Sequence, residues 1–193
     1  MTAFVLVTPP AVEPVTLSEL KAQARIDTAA EDTLASGLIA AARQWIERYT
    51  GRAFIAQTWQ MWIDNWEELS DVDYIELLHP PLINVNSVKV FDNNDESEIW
   101  ASENYFVDTA REPGRLALRA GSVWPIPERL TNGLMIEYDA GYGETANAVP
   151  EAIKLAIKQL ATCWYEHRGD EPTGIPQVVQ ALIHPFRIQN MRA

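Results

Sequence analysis

The sequence predicts an α+β fold, namely a small bundle of three helices with an inserted antiparallel β-sheet and an extended C-terminal tail. Apolar residues recur at helical spacing near both ends of the chain, and short β-rich runs separated by turn residues fill its middle. Prolines and glycines then interrupt the chain after residue 171. We therefore expect one domain over residues 1–171, in which the end helices meet around the sheet, and a tail over residues 172–193.

The N-terminal part predicts two helices, over residues 16–26 and 31–50. Thr16 and Glu19 have the spacing of a capping box, in which each side chain accepts a hydrogen bond from the other residue's backbone amide. In the second helix apolar residues recur at spacings of three and four, and Gly51 can end it in a left-handed conformation. The two helices should pack along each other.

Residues 58–140 predict the antiparallel sheet. Short runs rich in β-branched and aromatic residues, among them TWQMWIDNW, NVNSVKVFD and GLMIEYDAG, alternate with turn signals such as Pro113-Gly114 and Asn132-Gly133. Such a pattern is typical of strands joined by tight connections. The sheet is therefore expected as an insertion between the second and third helices.

A third helix is predicted over residues 150–168, because Pro150 suits a first helical position and an apolar stripe follows it. Beyond it, PQVVQALIHPFRIQNMRA allows at most two helical turns and an extended end. This tail over residues 172–193 carries too few core residues to fold by itself. Such a segment usually needs a partner.

Composition limits the possible functions. The chain has 193 residues, 47% of them hydrophobic, and no apolar run approaches the roughly 18 residues that cross a bilayer. Its N-terminus lacks the features of a signal peptide. The only cysteine, Cys163, excludes an internal disulfide and suits a reducing cytoplasm; we expect it to be a small buried residue of the third helix. A soluble intracellular protein without membrane contact is predicted.

The negative charge is concentrated in one segment. Of the net charge of −12, most comes from residues 58–110, which hold twelve acidic side chains and one basic side chain, Lys89. Such a surface repels phosphate and disfavours nucleic-acid binding through a basic patch. Two interpretations stay open, a solvated outer face and the lining of a channel through which DNA slides without sticking.

Catalytic patterns are missing from the sequence. His79, His167 and His184 lie apart, without a second His or Cys at metal-ligand spacing, and no nucleotide-binding or hydrolase motif occurs. Acidic residues are so plentiful in residues 58–110 that no carboxylate pair stands out for a hydrolase. We expect no catalytic residue, no metal and no cofactor.

A binding module is the alternative that the residues leave open. Asp92, Asn94, Glu96 and Glu103 fall at four ligand positions of a calcium loop, but Ser97 stands where the loop needs glycine, so a polar hairpin turn is favoured. Tryptophans could also stack on sugars, although strand alternation places several of them on a core face. The candidates for such a cation- or carbohydrate-binding β module are Trp59, Trp62, Trp66 and Trp100.

Four stretches together resemble a known family. They are LSELKAQARID, AARQWIERYTGRAF, HPPLINVNSVKVFD and EYDAGYGETANAVPEAIKLAIKQLATCWYEHRGD. In order and separation as well as in letters they are similar to the head-tail connector, or adaptor, proteins of long-tailed bacteriophages and gene transfer agents. The resemblance covers about residues 15–171, and its most specific pieces are Tyr49-Thr50-Gly51-Arg52 and the unit from Gly141 to Glu166.

The resemblance implies a structural protein without catalytic residues. It implies a ring, usually of twelve copies, under the portal at the capsid vertex, which joins the DNA-filled head to the neck and tail and surrounds the DNA exit channel. Partners would be other copies, the portal protein and the next neck or stopper protein, while DNA passes without sequence-specific binding. The place would be the head-tail junction of a virion or phage-like particle assembled in the bacterial cytoplasm.

Two groups of candidate contact residues follow. In such rings the C-terminal segment typically reaches the portal, so the tail's apolar and basic residues are the expected anchors, with avidity offsetting the entropy of ordering. The acidic loop is expected to face the next neck protein or the tail. The portal-docking candidates are Val178, Val179, Leu182, Ile183, Phe186, Arg187 and Arg192, and the loop candidates are Asp92, Asp95 and Glu96.

Overall fold

The computed structural model describes residues 2–64, 72–167 and 174–188. It has four helices and two antiparallel sheets within this part of the chain, so the predicted α+β class is confirmed. No helix among the described residues is long and apolar enough to cross a membrane.

The chain divides into two compact units rather than one domain with a tail. The β unit comprises Met1–Pro9 and Ala56–Gly141, and the helical unit comprises Pro10–Ile55 and Tyr142–Ala193. This division differs from the predicted one in two respects. An N-terminal strand, absent from the prediction, belongs with the sheet, and the C-terminal segment belongs with the helices.

The helical unit contains the three predicted helices and a short fourth one. The first helix ends before residue 26 because Arg25 adopts a left-handed conformation, with φ 54°, and donates its N–H to the Lys21 carbonyl. The capping box of Thr16 and Glu19 is present as predicted. The helices are α1 Leu17–Ala24, α2 Asp32–Thr50, α3 Glu151–Glu166 and α4 Gln177–Ile183.

One apolar core runs through the helical unit. It takes residues from all four helices, and α3 contributes most because its apolar stripe faces α1, α2 and α4. Burial of this kind is the main source of stability for helices of ordinary propensity. The fully buried members are Leu20, Ala35, Ala42, Ile46, Phe54, Ile153, Ala156, Ile157, Leu160, Ala161, Val179 and Ile183.

A buried ion cluster reinforces the second helix. Arg43 is only 6% exposed; its Nε donates to Glu13 at 2.7 Å and its Nη1 donates to Glu47 at 2.6 Å. Burial alone would lower the pKa of Arg43, but the hydrogen bonds and charges of both carboxylates outweigh it and raise that pKa. The other oxygen of Glu47 accepts from the Phe54 amide at 2.9 Å. Glu47 therefore links the helix to the chain that leaves it.

The described residues of the β unit form eight strands in two sheets. The larger sheet has the order β1-β2-β8-β4-β5 and the smaller has the order β3-β7-β6, with every pair antiparallel. The strands are β1 Thr2–Thr8, β2 Gln57–Ile63, β3 Tyr74–Leu77, β4 Leu82–Phe91, β5 Ser97–Ile99, β6 Tyr105–Asp108, β7 Gly114–Leu118 and β8 Leu134–Ala140.

The prediction of one small sheet over residues 58–140 missed two edge strands. β1 has no alternation of apolar and polar residues because almost all of its side chains are exposed, on both faces. β5 is three residues long, too short for a periodic signal. The other six strands coincide with the predicted runs, since each has buried side chains.

Close packing explains one glycine of the β unit. A Cβ at Gly114 would lie 2.4 Å from the Leu82 Cβ, far inside contact distance. The glycine thus lets the smaller sheet's β7 begin directly against the start of β4. The core here is built on β8, whose Ile136 and Tyr138 are fully buried.

Candidate functional site

The C-terminal segment is folded onto the helical unit along its described residues, 174–188. Val179 and Ile183, on one side of α4, are fully buried in the core, and Leu182 and Phe186 pack against it. Val178 points outward and is 51% exposed. Two of the predicted portal anchors, Val179 and Ile183, are therefore occupied within this chain while α4 is packed.

The turn after α2 contacts the C-terminal segment. Gly51, with φ 74°, ends α2 and donates its N–H to the Glu47 carbonyl at 2.8 Å, and the Arg52 amide donates to the same oxygen at 3.2 Å. A left-handed residue at this position favours glycine. The turn leaves the Thr50 carbonyl and the Arg52 side chain in position to bind another segment.

Three contacts join the turn to the C-terminal segment. The Thr50 carbonyl accepts from the Ile188 amide at 2.9 Å, and Arg52 Nε donates to the Phe186 carbonyl at 2.5 Å. The Arg187 guanidinium lies over the Tyr49 ring, 5.4 Å from its centroid, at cation–π distance. The Tyr49-Thr50-Gly51-Arg52 motif thus contacts the C-terminal segment at residues 186–188 and holds it in place. Sequence reasoning singled out the motif but missed this role, because spacing carries no information on which segment a turn receives.

Arg187 is exposed as well as stacked, so its charge faces solvent above Tyr49. The seventh predicted portal-docking residue, Arg192, lies outside the described residues. The outward-facing part of this surface is therefore formed by Val178 and Arg187, with Leu182 and Phe186 half-buried beside them.

The acidic loop is the turn between β4 and β5. Both Asp92 oxygens serve the turn, since Oδ1 accepts from the Asn94 and Glu96 amides at 2.9 Å and Oδ2 accepts from the Asn94 side chain. These hydrogen bonds, chiefly the one from the Glu96 backbone, lower the pKa of Asp92. The carboxylate acts as a turn acceptor, as the polar hairpin interpretation predicts.

The other two loop candidates differ in their surroundings. Asp95 adopts a left-handed conformation, with φ 66°, and pairs with Arg129 at 2.9 Å, although its own side chain is 79% exposed. Glu96 is exposed and lines a shallow depression together with Glu98, Ile126 and Glu128. Of the three candidates, Glu96 is the one whose side chain serves neither the turn nor the ion pair with Arg129.

The histidines and the cysteine have structural surroundings. The His79 ring stacks on Trp59 with centroids 3.9 Å apart and meets the edge of Phe4 at 6.0 Å; burial lowers the pKa of His79. Cys163 is half-buried rather than buried, and its sulfur lies 3.8 Å from His167 Nδ1 on the next turn. The prediction of a fully buried thiol was wrong because position 163 lies at the border of the apolar face of α3.

The described tryptophans and acidic side chains do not come together in one carbohydrate or cation site. Trp59 stacks on His79, Trp62 lies against Phe91 at 5.5 Å and Trp100 packs on Trp124 at 5.5 Å, while Trp66 lies outside the described residues. Within residues 2–64, 72–167 and 174–188, no three His, Cys, Asp or Glu side chains are placed to hold a metal ion. The comparisons below give no support to a cation- or carbohydrate-binding module.

Comparison with known proteins places the chain among phage assembly proteins. Residues 14–109 match the family described as phage gp6-like head-tail connector protein. This stretch includes α1, α2, the Tyr49-Thr50-Gly51-Arg52 motif and the acidic loop. No curated protein matches the chain in sequence.

Solved structures match nearly its whole length. A chain in the neck of an empty gene transfer agent (GTA) particle, computed with C6 symmetry, has a TM-score of 0.82 and 25% identity, covering 99% of this chain and 98% of that one. A chain of the virion of a native GTA particle gives 0.81 at 22% identity. A chain in the neck of a native GTA particle, computed with C12 symmetry, gives 0.74 at 25% identity. Coverage is 98% of both chains in the last two cases.

Proposed function

This chain belongs to the head-tail connector family and is a structural adaptor of the neck of a phage or gene transfer agent, and from that premise we propose that twelve copies form a ring beneath the portal. The ring joins the DNA-filled head to the next neck or stopper protein and surrounds the DNA exit channel. One observation carries the proposal: a GTA neck chain matches 99% of this chain, with a TM-score of 0.82. The count of twelve is supported by the C12 symmetry of a matched neck structure.

The portal contact is assigned to the outward side of the C-terminal segment. Val178 and Arg187 face solvent, and Leu182 and Phe186 are half-buried beside them. Val179 and Ile183 support this surface from the core instead of touching the portal. Because α4 is held in place by its own unit, less conformational entropy is lost on docking than for a free tail. Arg192 lies beyond the described residues and stays a candidate.

Repetition multiplies a weak contact of this kind. A short helix with two or three exposed anchors binds weakly by itself, but copies held in one ring engage a symmetric partner together. The effective concentration of each remaining contact is then set by the ring. Tight attachment therefore needs no large interface on any single copy.

The acidic loop is assigned to the face toward the next neck protein or the tail. Asp92 and Asp95 shape the loop and hold its negative charge, while Glu96 presents charge to solvent. Complementary charge across such a contact mainly raises the association rate and the specificity. The partner surface is expected to be basic.

DNA passes through the ring without sequence-specific binding, and no chemical step is required of the protein. A net charge of −12 repels the phosphate backbone, so a channel lined by this chain would let DNA slide. We infer no catalytic activity and no cofactor. The particle is expected to assemble in the bacterial cytoplasm.

Electron microscopy of particles from a producing strain that lacks this gene tests the proposal. Tailless heads together with free tails are expected, and restoring the gene should restore tailed particles. Normally tailed particles from the deletion strain would end the adaptor assignment.

A further inference from the structure

The β unit carries most of the exposed apolar side chains. Of fourteen large hydrophobic residues that are exposed in the described part of the chain, eleven lie in the β unit and three in the helical unit. Scattered exposed apolar residues are ordinary, whereas clusters of them mark interaction sites. Two clusters stand at opposite edges of the five-stranded sheet.

The first cluster is the β1 edge, residues Thr2–Thr8. β1 is the outermost strand, and no described strand pairs with its free side. Val5, Leu6 and Val7 are 48%, 41% and 46% exposed. Edge strands are usually protected by charged residues, but residues 1–12 contain none. A long, uncharged edge with apolar side chains on both faces is suited to contact with another chain.

The second cluster is the β5 rim, formed by Ile99, Val123, Ile126 and Leu130. These side chains are 66%, 75%, 67% and 80% exposed. β5 is the other outer strand of the same sheet, so the rim lies at the edge opposite β1.

Contacts hold the rim's loop against the β5 side of the sheet. Trp124 packs on Trp100, which follows β5, and Ile126 lines the same depression as Ser97 and Glu98 of that strand. Arg129 reaches Asp95 in the adjoining turn and lies over the Phe91 ring at 4.4 Å. The rim is therefore a fixed surface of the β unit.

Charge decides what can cover the rim. Glu96, Glu98 and Glu128 line the depression beside Ile126, so an acidic surface would be repelled there. Residues 58–110 hold twelve of the chain's 27 acidic residues and almost all of its net negative charge, whereas the β1 edge is neutral. Among the exposed apolar segments, the β1 edge can therefore approach the rim without like-charge repulsion.

We propose that each copy's β1 edge packs against the β5 rim of the next copy around the ring. Two different patches at opposite edges of one sheet give a head-to-tail contact, which closes into a ring instead of stopping at a dimer. The C6 and C12 symmetry of the matched neck structures supports a second copy as the occupant. The inference rests on the proposed adaptor function and adds the surface through which the copies meet.

Complementation of the deletion strain provides the first test. Val5→Glu with Val7→Glu would bring acidic side chains against Glu96, Glu98 and Glu128 of the rim, and separately Ile126→Lys would place a charge against the uncharged β1 edge. Each variant puts a charge in every copy-to-copy contact, where its desolvation is costly. We expect tailed particles to fall by at least about tenfold with each variant, because the defect repeats around the ring. Leu34→Lys, on the helical unit at a matched exposure of 42%, should restore tailed particles fully.

Crosslinking then separates head-to-tail from symmetric pairing. In a Cys163→Ala background, Val7→Cys and Ile126→Cys are introduced singly and together, and particles are treated with a bis-maleimide. A ladder beyond the dimer is expected only when both cysteines are present. Dimers from Val7→Cys alone that extend no further, or no product at all in tailed particles carrying both cysteines, would overturn the proposed contact.

Two controls distinguish a folding defect from loss of the proposed contact. The purified charged variants should keep the wild-type melting temperature; if the β1 variant does not, Ile126→Lys on the exposed loop decides. Normal tail attachment with Ile126→Lys overturns the contact while leaving the adaptor role intact. Normal tails in the deletion strain would instead overturn the adaptor role itself.

Discussion

The helical unit and the β unit use their residues in opposite ways. In the helical unit, apolar side chains from four helices share one core and the buried Arg43 is paired with two carboxylates. Among its described residues the β unit exposes eleven large apolar side chains to solvent, and it contains the acidic loop. Both units bury an apolar core, but exposed apolar side chains are concentrated in the β unit. The difference indicates that the β unit offers more apolar surface for contact with other chains than the helical unit does.

The largest expected effect tests whether the C-terminal segment belongs to the core of the helical unit. Ile183→Ala removes a fully buried side chain, so we expect a loss of about 2–5 kcal/mol in unfolding free energy. Val178→Ala, on the same helix but 51% exposed, should change it by less than about 0.5 kcal/mol. Urea unfolding followed by circular dichroism measures both, and equal small effects would show that α4 is not part of the core.

A second variant probes the ion cluster of the helical unit. Glu47→Gln keeps the shape of the side chain but removes the charge that faces Arg43, so we expect a loss of about 1–3 kcal/mol in unfolding free energy. Glu151→Gln, whose ion-paired carboxylate is 83% exposed, is the matched control and should cost less than about 1 kcal/mol. Denaturant unfolding at neutral pH distinguishes the two.

Lowering the pH should weaken the β unit through His79. Burial lowers the pKa of His79 below its ordinary value near 6.5, so the unfolded chain takes up the proton first. Stability is therefore full above about pH 6.5 and declines as the pH falls through the pKa of the folded state. Tryptophan fluorescence during urea unfolding at several pH values measures this. In His79→Phe the decline should be smaller than in wild type, whereas the exposed His184→Phe should leave it unchanged.

The smallest effect on stability should accompany a large effect on assembly. Glu96→Lys alters exposed charge without removing an acceptor of the turn, so the unfolding free energy should change by less than about 0.5 kcal/mol. Tail joining should nevertheless fall, while portal binding stays normal. Glu144→Lys, exposed on the helical unit, serves as control. Substitution of Asp92 is less informative, because it would also break the turn, and normal tail attachment with Glu96→Lys would count against the loop's assignment.

Sequence patterns predicted the elements that bury one face. Local signals mark the capping box at Thr16, the left-handed Gly51 and the six strands other than β1 and β5, and each lies within a few residues of its predicted position. β1 was not predicted, because a strand exposed on both faces has no alternation of apolar and polar residues. The division into two units was not predicted for a related reason. The pairing between residues 2–8 and 58–63 is a long-range contact, which has no local signature in the sequence.

The candidate site was predictable in outline and not in detail. The tail's composition indicated a docking segment, yet it could not separate the buried Val179 from the exposed Val178. The rotation of α4 about its axis decides which of the two is buried. That rotation depends on the hydrogen bonds that Thr50 and Arg52, far away in sequence, make with the C-terminal segment. For the acidic loop, residue types alone do not reveal that Asp92 accepts from the turn's own amides.

The placement of α4 in the core also sets the order in which the protein can mature. Ile183 and Val179 complete a core whose other members begin at Val15, so a nascent chain cannot close the helical unit until residue 183 has been synthesised and has left the ribosome. The β unit, by contrast, has all of its strands once residue 140 has emerged. The exposed apolar surface of the β unit is thus translated before the helical core is complete, and unfinished chains lack the closed helical unit that carries the proposed portal contact.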